Sequence, residues 1–143
     1  MIDITPSAID PRKVIASVET LESGAIDLFV GITRNQSNGR AVKMLEYEAY
    51  EPMAQRMMEQ IAKQASARWN VHRIAIAHRL GTVPVGEASV MIAVSSAHRH
   101  DAFEACRFLI DELKRVVPIW KREYFEDGTV EWSRHSHEQI QAQ

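Results

Sequence analysis

The sequence predicts an α+β domain in which three helices alternate with pairs of β-strands. Its 143 residues suit one hydrophobic core, and its content of 45% hydrophobic and 25% charged residues is typical of a globular protein. Segments with apolar residues at helical spacing alternate with segments of strand-like pattern. Pattern alone suggests a ferredoxin-like arrangement of these elements. We therefore expect a single domain over residues 1–143, of which about 134–143 form a flexible tail.

The first half of the chain is expected to start with a short helix. Asp10 is a favourable N-cap residue and Pro11 fits the first helical turn, which places this helix within segment 7–20. Further along, turn residues indicate a polar loop, and apolar residues that recur with a period near 3.6 indicate a second helix. In order, the patterns predict a buried strand at 25–33, a polar loop at 34–40, a strand at 41–50 and a helix at 52–69.

The second half is expected to contain two strands, a long helix and a terminal hairpin. The helix should stop before Pro118, because the proline forces Val117 out of helical geometry. The hairpin is predicted from the strand-forming runs PIWKREYF and TVEWS, which the turn EDG joins. In order, the patterns predict a strand at 72–81, a turn at 82–87, a strand at 88–96, a helix at 98–116 and the hairpin at 118–133.

Composition excludes several classes of function. The net charge is −2, so any anion-binding site must be a local concentration of Arg, Lys and His. The single Cys106 can form neither an internal disulfide nor a thiolate cluster, and the histidines lack the spacing of a metal site. There is no apolar run near twenty residues and no secretory signal pattern, so we expect a cytoplasmic protein.

Two lysines near the end of the last predicted helix stand in unusual surroundings. A helix advances about 100° per residue, so Lys114 points within about 40° of Ile110 and lies on or beside the apolar stripe. Lys121 lies on an extended segment and shares a face with Ile119 and Glu123. Desolvation adapts a lysine to act as an acid or base near neutral pH. The residues alone allow this catalytic role as well as a structural one, a stem-buried Lys114 and an ion-paired Lys121.

Basic residues also cluster at two points where a predicted strand ends. After the strand at 88–96, His98 and Arg99 open a helix whose free N–H groups favour anions. After the strand at 25–33, Arg34 enters a glycine-containing loop. A solvated helix start and a plain hairpin turn are the structural alternatives.

Five segments occur in one order along most of the chain: FVGITRNQSNGRAV, LEYEAYEPMA, HRLGTVPVGEASV, SSAHRHDAFEACRFLIDELKRVVPIWKRE and EDGTVEW. Together they resemble the large, catalytic subunit of molybdopterin synthase. The resemblance extends from about Gly24 to Trp132 and is most specific between HRHDAFEAC and PIWKRE. It implies an α/β hammerhead fold with an additional small antiparallel β-sheet, in place of the ferredoxin-like arrangement.

The resemblance also implies an activity and partners. Enzymes of this family are sulfurtransferases that convert cyclic pyranopterin monophosphate into molybdopterin, the dithiolene ligand of the molybdenum cofactor. The sulfur arrives as the C-terminal thiocarboxylate of a small ubiquitin-like carrier subunit that ends in Gly-Gly. The implied assembly is a homodimer that binds two carriers, a heterotetramer, and the reaction needs no cofactor and no metal.

By position, the resemblance assigns roles to particular residues. It places the two essential lysines of the family at Lys114 and Lys121, where they also contact the substrate. Further substrate-binding residues are placed at Arg34, His98, Arg99, Arg122 and Glu123. A family arginine near the C-terminus falls near Arg134, and His135 and His137 are interpreted as tail residues.

Two other interpretations compete with this one. A non-catalytic module could bind a phosphorylated metabolite or a ubiquitin-like partner with the same pocket residues. Lys114 on an apolar stripe favours catalysis, because exposed arginines suffice for binding phosphate. A metal-dependent hydrolase would need a ligand set that the histidines do not provide.

The helix at 98–116 raises a problem of distance. If it is continuous, Arg99 and Lys114 stand about 22 Å apart along its axis, too far to touch one small substrate in one chain. The resemblance nevertheless places both in the same pocket. A two-fold homodimer resolves the conflict, because it can bring one chain's His98 and Arg99 beside the other chain's lysines.

Overall fold

The structure is a computed structural model that describes residues 1–134, so His135, His137 and the rest of segment 135–143 lie outside the described residues. Three helices and two β-sheets make up this part of the chain. In order, the elements are β1 (Ile2–Thr5), α1 (Pro11–Val18), β2 (Ala25–Ile32), β3 (Gln36–Ser37), β4 (Arg40–Ala49), α2 (Glu51–Arg68), β5 (Val71–Arg79), β6 (Gly81–Pro84), β7 (Ala88–Ser96), α3 (Arg99–Val116), β8 (Ile119–Phe125) and β9 (Val130–Arg134).

The first sheet lies between helices. Its strand order is β1-β5-β7-β2, with β1 parallel to β5 and the other neighbours antiparallel. Side chains alternate along its strands. On one face Ala75, Ala77 and Met91 pack with Val14 and Val18 of α1. The opposite face packs against α2 and α3 in the main core, to which Ile76, Val90, Ile92, Met58, Leu109 and Leu113 belong.

The second sheet is antiparallel and is built around β4. Strand β4 pairs with β3, β6 and β8, and β8 pairs with β9. Its inner face contributes Val42, Leu45, Val83, Ile119 and Phe125 to the same core. The two sheets therefore share one core. Within it, helix α3 packs against strands β2 and β7 and against helix α2.

The α+β class is confirmed, as is the additional antiparallel sheet that accompanies the hammerhead fold. The ferredoxin-like arrangement suggested by pattern alone is wrong, because β4, β8 and β9 leave the helix-covered sheet and form a second one. Three short strands were not expected: β1, β3 within the predicted loop, and β6 within the predicted turn. Strand β2 is also less buried than expected, because it is the edge of its sheet and exposes Ile26 and Ile32.

The helix boundaries follow the expected signals. The carboxylate of Asp10 accepts a hydrogen bond from the Arg12 amide at the start of α1. Helix α3 is continuous from Arg99 to Val116, and Val117 before Pro118 is extended, as predicted. No helix among the described residues is both long and apolar enough to cross a membrane.

Candidate active site

A cavity of about 140 Å³ opens where the two sheets meet the C-terminal end of α3. Its lining comes from strands of both sheets, from the β3–β4 hairpin and from α3. The polar and charged lining residues are Arg34, Gln36, Ser37, Tyr47, Ser89, Lys114, Lys121 and Glu123, and the apolar ones are Gly31, Ile32, Val42, Leu45 and Val90. Four of the seven residues assigned to the site, Arg34, Lys114, Lys121 and Glu123, thus share one cavity.

The two lysines reach the cavity from different elements. Lys114 lies in the last turn of α3 and is half-buried, as its place beside the apolar stripe predicts. Lys121 lies in β8, and its side chain is only 13% exposed. Because Val117 is extended, the chain turns directly from α3 into β8 and brings the second lysine back to the end of the helix that carries the first.

Glu123 balances part of this positive charge. Alternation along β8 places Lys121 and Glu123 on the same inward face as Ile119. Glu123 Oε1 lies 3.7 Å from Lys121 Nζ, and the glutamate side chain is 7% exposed. With Arg34 and Lys114, the cavity therefore presents three cations and one carboxylate, which suits an anionic ligand although the whole chain is acidic.

The contact between Gly31 of β2 and Val90 of β7 forms part of the cavity wall. A Cβ atom on Gly31 would stand 2.7 Å from Val90 Cγ1, so a side chain at this position would force the Val90 side chain to move. The register between the two strands also shifts at Gly31 and Ile32, where β2 leads into Arg34. The glycine thus leaves room for the Val90 side chain in the cavity wall, three residues before Arg34 joins the lining.

The β3–β4 hairpin forms one side of the cavity with Gln36 and Ser37. Arg40 pairs with Ser37 beside the turn of this hairpin and fastens that end to the β8–β9 hairpin. Its guanidinium lies 3.7 Å from the centre of the Phe125 ring and also bonds Glu131 and Thr129. We conclude that the polar tip of the hairpin is attached to the strand that carries Lys121.

A buried histidine lies behind the cavity wall. His78 has no solvent-exposed surface, and its ring centre is 5.1 Å from that of Tyr47 in an edge-to-face arrangement. Burial lowers the pKa of His78 to about 4, and the positive charge of Lys114 contributes a smaller part in the same direction. Tyr47 itself is 5% exposed and lines the cavity. The imidazole is therefore neutral near pH 7.

The structure does not bring Arg122 to this cavity within one chain. Alternation turns its side chain to the opposite face of β8, where Arg122 Nη1 lies 3.3 Å from Glu46 Oε1. The same nitrogen donates a hydrogen bond to the Tyr124 hydroxyl at 2.9 Å, and the guanidinium stacks 4.1 Å from the Trp132 ring. These contacts place Arg122 in a network on the outer face of the second sheet, outside the lining of the cavity of its own chain.

His98 and Arg99 are likewise outside the cavity of their own chain. Both are exposed at the start of α3, and the helix is continuous from there to Lys114. The separation of about 22 Å expected from helical rise therefore holds within the chain.

Arg134 ends β9, where its backbone pairs with Trp120. The expected tail therefore does not include residue 134, which is part of the second sheet.

Cys106 is buried and does not line this cavity. It is 2% exposed, and burial raises the pKa of its thiol to about 12. Within residues 1–134, no group of three or more His, Cys, Asp and Glu side chains is placed to hold a metal ion. The absence of a metal site from the whole protein stays a prediction.

Sequence reasoning missed Tyr47, His78, Gln36 and Ser37. Gln36 and Ser37 gave no signal beyond a polar loop. His78 did carry one, because it continues the alternation of Ile74 and Ile76 on the apolar face of β5. A histidine at such a position is unusual unless its polar atoms have partners.

Comparison with known proteins gives consistent matches. The model of the MoaE protein family matches residues 4–116. The molybdopterin synthase catalytic subunit of Arabidopsis thaliana is 52% identical over 128 residues, which are 90% of this chain and 64% of that protein. This chain thus spans slightly less than two thirds of the plant protein's length.

Solved structures are similar over nearly the whole chain. The X-ray structure of molybdopterin synthase from Staphylococcus aureus matches with a TM-score of 0.87 and 35% identity, over 91% of this chain and 94% of that one. A chain in the protein–protein complex of subunits 1 and 2 of molybdopterin-converting factor from Helicobacter pylori 26695 matches with a TM-score of 0.77 and 25% identity, over 93% and 90%.

Proposed function

This chain belongs to the MoaE protein family, and from that membership we propose that it is the catalytic subunit of a molybdopterin synthase. It transfers sulfur from the C-terminal thiocarboxylate of a small ubiquitin-like carrier, which ends in Gly-Gly, to cyclic pyranopterin monophosphate. The product is the dithiolene of molybdopterin. The observation that carries this proposal is the meeting of Lys114, Lys121, Glu123 and Arg34 in one cavity.

The charges of the cavity suit the substrate. Cyclic pyranopterin monophosphate carries a phosphate and a polar pterin, and guanidinium and ammonium groups are the usual partners of phosphate oxygens. Arg34 is exposed at the mouth, where it can meet an incoming anion. Glu123, Gln36 and Ser37 supply acceptors and donors for the remaining polar edges.

The lysines suit the chemistry of sulfur transfer. The thiocarboxylate sulfur forms a C–S bond with a substrate carbon as a C–O bond of that carbon breaks, and water then cleaves the acyl C–S bond. This leaves the sulfur on the substrate and a carboxylate on the carrier. Both steps develop negative charge on oxygen and require proton transfers, which an ammonium group in a partly desolvated cavity can stabilise and perform. Two such transfers, with opening of the cyclic phosphate, complete the dithiolene.

We propose that the working assembly is a homodimer with one carrier at each end. The continuous helix α3 supports this, because His98 and Arg99 can serve a substrate in the cavity only from a second chain. The H. pylori relative is described as a complex of two subunits, which supports a carrier partner here. The substrate is a soluble metabolite, so we place the enzyme in the cytoplasm.

The test is reconstitution of the reaction. The purified chain is incubated with a thiocarboxylated carrier and cyclic pyranopterin monophosphate, and the product is oxidised and measured by its fluorescence. We expect product only when chain, carrier and substrate are all present. A carrier that ends in an ordinary carboxylate is the control. Absence of product from the folded chain with its thiocarboxylated carrier would refute the proposal.

A further inference from the structure

We propose that His78 is a positioning residue of this site, which supports Tyr47 at the cavity wall and supplies a neutral polar environment for Lys114. The inference rests on the proposed function of the cavity, and it adds a residue that does not line the cavity itself. It is carried by the face on which His78 lies, by its hydrogen bond and ring contact, and by its burial.

The strand register places His78 on the face of the first sheet that packs against α3. His78 follows Ile76 by two positions on β5, so both side chains point to the same side of the sheet. Its register partner on β7 is Val90, which lines the cavity. Ile76, Val90 and Leu113, the residue before Lys114, all belong to the main core. His78 therefore points to the side of the sheet on which α3 lies, and Lys114 reaches the cavity from the last turn of that helix.

A hydrogen bond fixes the form of the imidazole. His78 Nδ1 lies 2.9 Å from the Arg79 carbonyl oxygen, which can only accept, so Nδ1 carries the proton. In the neutral ring Nε2 then carries a lone pair. The edge-to-face contact with Tyr47, at an interplanar angle of 71°, holds the ring against a residue of the cavity wall. The hydrogen bond and the ring contact thus determine the position of the imidazole, its tautomer and its aromatic neighbour.

Neutrality is the useful property at this place. Titratable groups around His78 include Lys114 of α3, Tyr47 of β4 and Arg79 on its own strand, whose guanidinium pairs with Glu87 at 2.7 Å. A charged histidine would repel the Lys114 ammonium, because each positive charge disfavours the charged form of the other group. An apolar ring of the same shape would leave the ammonium in a less polar environment and favour the neutral amine. A neutral imidazole avoids both effects.

The experiment compares His78→Phe, which keeps a ring but removes its polar atoms, with His78→Gln, which keeps a neutral donor and acceptor. The control is Ile76→Val, a mild loss of packing on the same strand and face. An amine-specific reagent labels each folded protein, and mass spectrometry compares the labelling rate of Lys114 with that of exposed Lys43. This readout needs no substrate. Turnover, KM and the pH profile are measured in parallel with the carrier and the cyclic pterin.

We expect His78→Phe to raise the relative labelling rate of Lys114 and to lower kcat, each by about tenfold, with a smaller change in KM. His78→Gln should recover most of both, and Ile76→Val should leave both unchanged. Unchanged labelling and kcat in folded His78→Phe, or the same changes in Ile76→Val, would overturn the positioning role. If His78→Phe does not fold, His78→Met carries the same expectation. If the wild-type chain makes no product but His78→Phe still raises the labelling rate of Lys114, the proposed function is refuted and the positioning role remains intact.

Discussion

Glu123 follows Lys121 by two positions on β8, and its Oε1 atom lies 3.7 Å from Lys121 Nζ at the wall of the cavity. The two side chains are only 7% and 13% exposed, so water screens the pair weakly. Lys121 therefore has two roles that substitution can separate. It is a candidate acid or base for the reaction, and it is the cation beside a buried carboxylate.

Lys121→Ala is expected to lower turnover by ~10²–10⁴-fold, the usual loss when a general acid or base is removed. It should also lower the melting temperature, because Glu123 loses its ion pair with Lys121. The double variant Lys121→Met/Glu123→Gln should regain stability without regaining activity. Thermal unfolding and the fluorescence assay measure the two effects, and exposed Lys43→Ala is the control. Near-normal turnover by folded Lys121→Ala would exclude the catalytic role.

Arg99→Ala and Lys121→Ala chains should complement each other if each site uses two chains. After subunit exchange about half of the dimers are mixed, and each mixed dimer holds one intact site of two, so roughly a quarter of wild-type activity should return. Activity and the extent of exchange are measured on the same sample.

Arg34→Ala mixed with Lys121→Ala is the matched control for this experiment. Both residues line the same cavity of one chain, so every site in a mixed dimer would carry one of the two defects. No activity should return. Recovery in this control, or none with Arg99→Ala despite complete exchange, would contradict a site shared between chains.

His78 should make the fold sensitive to acid. Its pKa is about 4 in the folded protein, below its usual 6.5, so the unfolded chain binds a proton between these values that the folded chain does not. The free energy of unfolding therefore falls as the pH drops from 6.5 towards 4, by ~3 kcal/mol at most from this residue. His78→Gln should unfold with a flatter pH dependence over that range in urea titrations. Parallel curves for the two proteins would refute the assignment.

Cys106 should be inert in the folded protein. With its pKa raised from 9 to about 12, its thiolate fraction at pH 8 is ~10³-fold lower than in the unfolded chain. A thiol reagent should react only after denaturant is added. Cys106→Ala should retain its turnover, because the sulfur is supplied by the carrier. Loss of activity in a stable Cys106→Ala protein would contradict the carrier as the source of the sulfur.

The purified enzyme is expected to keep its activity after dialysis against a chelator and to hold no stoichiometric metal. The reason is chemical: lysine ammonium groups supply the charge stabilisation that a metal would otherwise provide. Elemental analysis checks the content, and the fluorescence assay checks activity before and after dialysis. About one zinc or iron per chain, with activity lost on its removal, would overturn this expectation.

Local signals in the sequence predicted the parts of the site that belong to long elements. The apolar stripe of α3 placed Lys114 at the core boundary, and alternation along β8 placed Lys121 and Glu123 on one face. The same alternation turned Arg122 away, although the family resemblance assigned it to substrate binding. The assignment of Arg122 to substrate binding stays a prediction.

The division into two sheets could not be predicted in the same way. Strands β3 and β6 have two and four residues, too few to show a period, and both exist because β4 offers them a partner. The role of His78 was missed for a similar reason. Its position on an apolar face could be predicted, but its proximity to Lys114 depends on how β5 packs against α3.

The central place of β4 has a consequence for how the protein is made. Its long partner is β8, and the hydrogen bond from Tyr124 to Glu46 joins residues 78 positions apart. During synthesis β4 leaves the ribosome long before β8, so its edge must wait without its main partner. Contacts of such high sequence separation form slowly, and waiting strand edges are prone to pair with other chains. Because β8 also carries Lys121, the cavity is completed in the same late event that covers the edge of β4 and protects the nascent chain from aggregation.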